Sequence, residues 1–479
     1  MGASVTNQKR AVVWFRKDLR LEDHPALLAA LSDGLEIIPI FIWDPKASDI
    51  WRPGEASRWW LHQSLIHLRQ SIARLGGSIL FLIGKPQEML SRICRDYGAT
   101  ALFYGRCYEP SSLELESSIE TIFSASGIRC QSFNSNLLQE PWEVSNQSGS
   151  PYRVFTPYWR SARASVYTPP LAYSPSSLSF ARLASTPLES LNLLPENPWH
   201  NKLTPLWDVS KSGAKVLMDR LHSDIAPAYH FRRDSPADDG TSRLAPYLAW
   251  GNISPRQICS AVPGFDSQNH QLVENKFLAQ IGWREFSYHL LHYFPHIPDA
   301  PLREKYSRFP WRDDRASFNA WQQGKTGYPF VDAGMRQLWA TGWMHNRVRM
   351  VVASFLVKHL LLPWRDGARW FWDTLVDADL ANNTQGWQWT AGCGADAAPY
   401  FRIFNPTRQG EKFDAKGCYI RKWVPELKQL PNSAIHCPWN APETVLQAAG
   451  VQLGINYPKP IVNHFEARNR ALEALESIS

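Results

Sequence analysis

The chain has no pair of cysteines spaced as C-x-x-C. Its seven cysteines, Cys94, Cys107, Cys130, Cys259, Cys393, Cys418 and Cys437, are scattered and odd in number. That spacing offers no zinc site and no four-cysteine iron–sulfur ligand set, and it suits reduced thiols in a cytosolic-type compartment. No run of five like charges occurs, so the chain is not a tail-type binder of polyanions. Long apolar runs are also missing. The longest, between Arg349 and Trp364, is broken by Lys358 and His359 and is too short to span a bilayer. The opening residues, MGASVTNQKR, lack the apolar stretch of a secretory signal. They match a short myristoylation pattern through Gly2 and Thr6, at a length where chance is the better explanation. GKTG at 324–327 resembles the end of a Walker A loop, but Asn319 stands where that loop needs glycine. G-x-S-x-G, H-E-x-x-H and a G-x-G-x-x-G following a strand are absent too. The usual hydrolase, zincin and nicotinamide-dependent readings therefore find no support.

What is present is aromatic and basic. Tryptophan occurs 22 times, and hydrophobic residues make up 44 % of the chain, enough to build large cores. Indole fills cores well, and it also stacks on bases and flat cofactors. The net charge of +7 favours a polyanionic partner. A length of 479 residues predicts at least two domains.

Short apolar runs at 11–16, 35–43, 78–83 and 101–104 read as buried strands, separated by helical patterns such as 55–75 and 111–126. That alternation predicts a parallel, Rossmann-like α/β domain over residues 9–135, with ligands at the carboxyl ends of its strands. Residues 136–205 are rich in proline and serine and read as a long surface connector. From 206 to 479 apolar residues recur at three and four, and a larger all-α domain is expected.

Within that helical half, DGTSRLAPYLAWGNISP at 239–255 reads as a turn opening a helix, whose free N–H groups suit phosphate. Tyr229, Arg232 and Arg233 lie just upstream. IGWREFSYHLL at 281–291 is an amphipathic helical pattern. With Gln280 four residues before Arg284 and Trp283 beside that stripe, it offers amide, guanidinium and indole together. TGWMHNRVRMVVASFL at 341–356 places Asn346 and Met350 on one helical face with Arg347 beside them. In DADLANNTQGWQWT at 377–390, Trp387 and Trp389 would differ by about 200° on a helix and face opposite ways. Each motif alone is weak.

Taken together, TGYPFVDAGMRQLWATGWMHNRVRM, WFWDTLVDADLANN, GWQW and DAAPYFRIFNPTRQGEKFD resemble the flavin-binding heart of the photolyase/cryptochrome family. WFRKDLRLEDHPAL and DGTSRLAPYLAWGNISPRQ extend the resemblance over nearly the whole chain. SRWWLHQSL and LLPWRDGARWFWDTL are most similar to the plant-cryptochrome-related subgroup, called class III photolyases.

The resemblance implies FAD in the helical domain and light-driven repair of cyclobutane pyrimidine dimers. Tyr229, Thr241, Ser242, Arg243 and Leu244 match the phosphate-contacting segment. Arg349 and Asp377 match an ion pair beside the isoalloxazine, Asp379 a neighbouring contact, and Asn383 the residue facing flavin N5. A neutral amide there suits a reduced, anionic flavin, whereas plant cryptochromes carry an acid. Trp387, Trp364 and Trp311 match an electron-hopping chain to the surface. Trp283 and Trp389 match the indoles that wall the pocket for a flipped dimer. Asn346 and Met350 match further pocket contacts, and Arg233, Arg284 and Arg347 match groups near the DNA backbone. Gln280 departs from the glutamate that many relatives place three residues before the pocket tryptophan. It keeps a donor but loses the acidic proton.

For a second, antenna chromophore the candidates are Trp43, Asp44, Glu109 and one of Trp59 or Trp60, with methenyltetrahydrofolate preferred to a deazaflavin. The rival expectation is a blue-light photoreceptor. Such relatives often carry a long extension, and a chain ending at Ser479 soon after YPKPIVNHFEARNRALEAL fits repair better. UV-damaged DNA as partner, a monomer, no membrane and no resident metal, and a cytoplasmic location complete the expectations.

Overall fold

The computed structural model describes residues 9–47, 49–163, 169–184, 186–265, 275–396 and 401–479. The Gly2/Thr6 pattern and residues 397–400 of the DAAPYF motif lie outside them.

The N-terminal part is a five-stranded parallel sheet: β1 (Arg10–Phe15), β2 (Glu36–Trp43), β3 (Leu80–Ile83), β4 (Ala99–Gly105) and β5 (Arg129–Phe133), in the order β3-β2-β1-β4-β5. Four strands stand where their apolar runs predict. The fifth, RCQSF, was missed by sequence reasoning because it is an edge strand with no buried residue, so it carries no hydrophobic run. Helices Pro25–Ser32, Glu55–Arg74, Pro86–Tyr97 and Pro110–Ser126 connect the strands. Alternation along β1 sends Ala11, Val13 and Phe15 to one core and Val12 and Trp14 to another.

The connector has no strand among its described residues. Short helices and 3-10 turns punctuate it, including Phe155–Ala162 and Pro198–Lys202, and Phe180 bridges to Ile37 of β2. Beyond Lys211 helices dominate, and the strand-like feature described there is one isolated bridge, Leu453 to Tyr457.

The two halves share one hydrophobic core. Ala11 and Phe15 of the sheet, Leu188 and Leu191 of the connector and Tyr247, Trp250 and Phe286 of the helical part belong to it. At this seam Leu19 N–H donates to Trp250 O at 3.1 Å. Gly251, at φ +64°, is needed there, because a Cβ would lie 1.9 Å from the carbonyl oxygen of Lys17. The strand order reverses at β1, whose neighbours are β2 and β4. The carboxyl ends of β1 and β4 therefore flank the crevice where such sheets take ligands. Here that crevice faces the helical half.

Candidate functional site

Four helices build the site: Leu278–Tyr293, Asn346–Ser354, Trp364–Thr374 and Leu380–Ala391. The last packs on each of the other three. Its start is fixed by Asp379, whose Oδ1 accepts from Asn382 N–H at 2.9 Å, a cap worth about 1 kcal/mol. Its end is Gly392 in the left-handed conformation. Between them the 3.6-residue turn separates the tryptophans as the sequence predicts. Trp387 is buried edge-on against Trp321 and Phe371, and Trp389 is half-buried.

The polar groups nearby are held in set directions. Arg349 Nη2 donates to Asp377 Oδ2 at 2.8 Å, and its Nε donates to Met344 O at 2.7 Å. The other oxygen of Asp377 is buried with no partner among the described residues. Asn383 Nδ2 donates to Ala368 O at 3.0 Å, which turns its Oδ1 away from that helix as an acceptor. Asp379 is more engaged than the sequence suggested. Tyr288 O–H donates to its Oδ2, and Asn382 Nδ2 reaches its Oδ1 at 2.7 Å. Burial works against its charge, but Arg284 and Lys17 nearby hold it below the usual carboxylate range. Sequence reasoning gave no role to Tyr288 or Asn382. The N-cap pattern Asp379-x-x-Asn382 was the available signal for Asn382.

The expected phosphate helix needs correction. It begins only at Ala245 and lasts five residues, with Leu244 as its cap, so its dipole is short. Thr241, Ser242 and Arg243 precede it as a loop. Arg243 sits at φ +53°, 3.2 Å from Asp239, with its guanidinium 5.1 Å from the Trp343 ring and its Nε buried without a partner. Tyr229 is half-buried, edge-on to Phe277 at 5.3 Å. The 241–243 loop offers two hydroxyls and an unpartnered guanidinium N–H, Asp377 an unsatisfied carboxylate oxygen, and Asn383 an oriented amide acceptor. This donor set fits a phosphorylated, hydrogen-bonding cofactor such as FAD.

Gln280, Trp283, Met350 and Trp389 are half-buried, and Asn346 is exposed. Gln280 has both ends engaged. Its Oε1 accepts from Arg233 at 3.4 Å and its Nε2 donates to Lys276 O at 3.1 Å, which fixes the orientation of the amide. Arg233 also lies 5.1 Å from the Tyr229 ring. Arg347 is held by Asp234 at 2.8 Å and 3.3 Å, and Asp234 is 4.0 Å from Arg233. Asp234 links both arginines, and its position directly after Arg233 in the sequence is the only hint of that.

Arg284 does not share their face. It is buried, donates to Asn136 O at 2.7 Å and pairs with Glu285 at 3.2 Å. The connector lies over it and removes it from solvent, so the expected DNA-backbone role is corrected to a seam role. Glu285 accepts from Leu138 N–H at 2.8 Å, and burial pushes its carboxyl up to about 7. In the expected electron chain Trp387 and Trp364 are buried and Trp311 is half-buried, so the order runs from core to surface. Arg312 N–H donates to Leu361 O at 2.8 Å, which ties the Trp311 segment to the entry of the Trp364 helix.

Of the antenna candidates, Trp43 and Asp44 are half-buried at the end of β2. Glu109 is buried and ion-paired with Lys17 at the β1/β4 crevice. Trp59 and Trp60 are corrected to core residues. Both are fully buried. Trp60 donates to Asn252 Oδ1 at 2.9 Å and meets Trp207 and Tyr247 edge-on, which leaves no face for a ligand. Among the described residues no group of three His, Cys, Asp or Glu could hold a metal, and no helix is long and apolar enough to cross a membrane.

The whole chain is similar to known proteins. Residues 11–176 match the DNA photolyase family, and residues 277–477 match the FAD binding domain of DNA photolyase. The chain is 44 % identical over 470 residues to a deoxyribodipyrimidine photo-lyase of Agrobacterium fabrum, covering 98 % of each. It is 41 % identical over 484 residues to Cryptochrome-2 of Arabidopsis thaliana, covering 98 % of this chain and 79 % of that protein. The crystal structure of a bacterial class III photolyase from Agrobacterium tumefaciens superposes with a TM-score of 0.93 at 43 % identity, over 99 % of each chain.

Proposed function

The chain belongs to the DNA photolyase and cryptochrome family, and on that premise we propose that it is a light-dependent lyase that splits cyclobutane pyrimidine dimers in DNA. The observation that carries the reading is the amide of Asn383, held by Ala368 O with its oxygen left as an acceptor. An amide accepts from a flavin N–H without delivering a proton, which suits a donor that must stay reduced and anionic. The electron that opens the cyclobutane ring is the chemistry that bound, reduced FAD supplies, and its return leaves no net redox change.

The protein's share is binding, orientation and electrostatics. The Arg349–Asp377 ion pair would lie beside the ring system, and Thr241, Ser242, Arg243, Leu244 and Tyr229 would hold the phosphate side. Trp283 and Trp389 wall the pocket, each stack being worth about 1–3 kcal/mol. A dimer already weakens pairing and stacking, so flipping it costs less than the few kcal/mol of a normal base. Gln280, Asn346 and Met350 complete the pocket, and Arg233 and Arg347 serve the phosphates. Trp387, Trp364 and Trp311 supply electrons from the surface.

Trp43, Asp44 and Glu109 remain the groups for an antenna, methenyltetrahydrofolate in preference to a deazaflavin. A cytoplasmic monomer completes the proposal, and its seven free cysteines suit a reducing compartment. The likeness to a plant cryptochrome favours a second reading, a blue-light photoreceptor. Illumination of the reduced holoprotein with UV-irradiated oligo(dT) separates the two: loss of dimers supports repair, and their persistence refutes it.

A further inference from the structure

The Trp283 ring is not free on both faces. Phe155, from the connector, stacks on it with ring centroids 3.8 Å apart and planes 12° apart. Trp159, one helical turn further on, lies nearly parallel to Phe155 at 6.3 Å and 10°. The three rings Trp159, Phe155 and Trp283 are thus nearly parallel, with the close face-to-face contact between Phe155 and Trp283. Trp159 fits here because residue 282 is glycine, where a Cβ would stand 2.5 Å from the indole. Phe286 closes the stack edge-on, 6.0 Å from Phe155 and 5.9 Å from Trp283.

The connector is anchored just before this contact, at Tyr152 and Arg153. Tyr152 N–H donates to His289 Nε2 at 3.0 Å, and Asp396 N–H donates to Arg153 O at 3.2 Å. Asp396 follows the helix that carries Trp389. The same few connector residues thus grip the Trp283 helix and the segment after the Trp389 helix. Phe155 is buried while Trp283 is half-buried, so the exposed part of that indole lies away from Phe155.

We propose that Phe155 is a positioning residue for the lesion: it fixes the plane of Trp283 so that a flipped pyrimidine dimer adds to a preformed stack. The inference rests on Trp283 being a pocket wall, and it assigns the connector a part in lesion recognition. A ring that would otherwise rotate about its side-chain torsions is held by a partner at van der Waals distance. The dimer then need not pay to order it.

The test measures affinity for dimer-containing and intact DNA of one sequence, using the FAD-loaded full chain. Phe155→Leu is expected to weaken dimer binding about two- to tenfold, the worth of one aromatic pair, and to leave intact-DNA binding unchanged. Phe155→Tyr, which keeps the ring, is expected to restore wild-type discrimination. In a Trp283→Ala background Phe155→Leu is expected to add nothing, because Phe155 acts through that indole. Should Phe155→Leu not fold, Phe155→Met conserves volume and gives the same reading. Equal discrimination in wild type and the ring-less variant overturns the proposal. So does a loss shared equally by dimer and intact DNA, or an undiminished effect without Trp283. If Trp283→Ala alone leaves dimer affinity intact, the pocket reading fails instead, and the two failures are distinct.

Discussion

The side-chain amide of Asn383 donates to the carbonyl oxygen of Ala368 across 3.0 Å, which binds the helix Leu380–Ala391 to its neighbour Trp364–Thr374. The bond decides which end of the amide faces the site. Asn383→Asp removes that donor and puts an acid where an acceptor stood. The variant is expected to retain FAD and to lose most of its repair per absorbed photon. Repair yield normalised to bound flavin measures this, and an unchanged yield would contradict the assigned role.

Arg349 and Asp377 form a buried-side pair, with Asp377 only 4 % exposed at the side chain. Arg349→Ala leaves that carboxylate without its guanidinium. The expected cost is about 3–5 kcal/mol of stability, with loss of FAD on dialysis. Thermal melting and the flavin-to-protein ratio check the two parts separately.

Gln280→Glu converts the 3.4 Å contact with Arg233 into an ion pair. Arg233 is then less available to a phosphate. The slope of log K against log salt for DNA binding is expected to become shallower by about 0.9, one phosphate contact on duplex DNA. An unchanged slope would place Arg233 away from the backbone.

Burial pushes the imidazoles of His345 and His289 down to about 4 and that of His359 down to about 3. All three are neutral in the folded chain at neutral pH. The unfolded chain takes up these protons near pH 6.5, so below that pH it binds more protons than the folded chain. The stability these groups contribute is present above about pH 6.5 and is lost as pH falls toward about 4. The melting temperature should drop over that window. His345→Asn keeps a cap for the helix Asn346–Ser354 and should flatten the drop.

Much of this is legible in the sequence alone. The runs AVVWFR and LEIIPIFIW name buried parallel strands by themselves, and the 200° between Trp387 and Trp389 follows from helix geometry. The misses share a cause, which is contact between segments distant in sequence. Arg284 lies next to Trp283, but one residue turns a helix by about 100°, and the connector at Asn136 covers that side. Trp60 is sealed by Trp207, Tyr247 and Asn252, all far along the chain. Phe155 gave no signal at all, because a phenylalanine in a proline-rich stretch reads as ordinary packing. The helix at Ala245 starts four residues later than its turn signal suggested, because Arg243 adopts a left-handed conformation.

The most direct test of the central claim follows dimers in UV-irradiated oligo(dT) incubated with the reduced holoprotein, in blue light and in darkness. The account predicts catalytic disappearance of dimers in the light, none in the dark, and a marked loss of activity in Trp283→Ala. Dimers that persist under illumination, with reduced FAD bound and the protein folded, would contradict it.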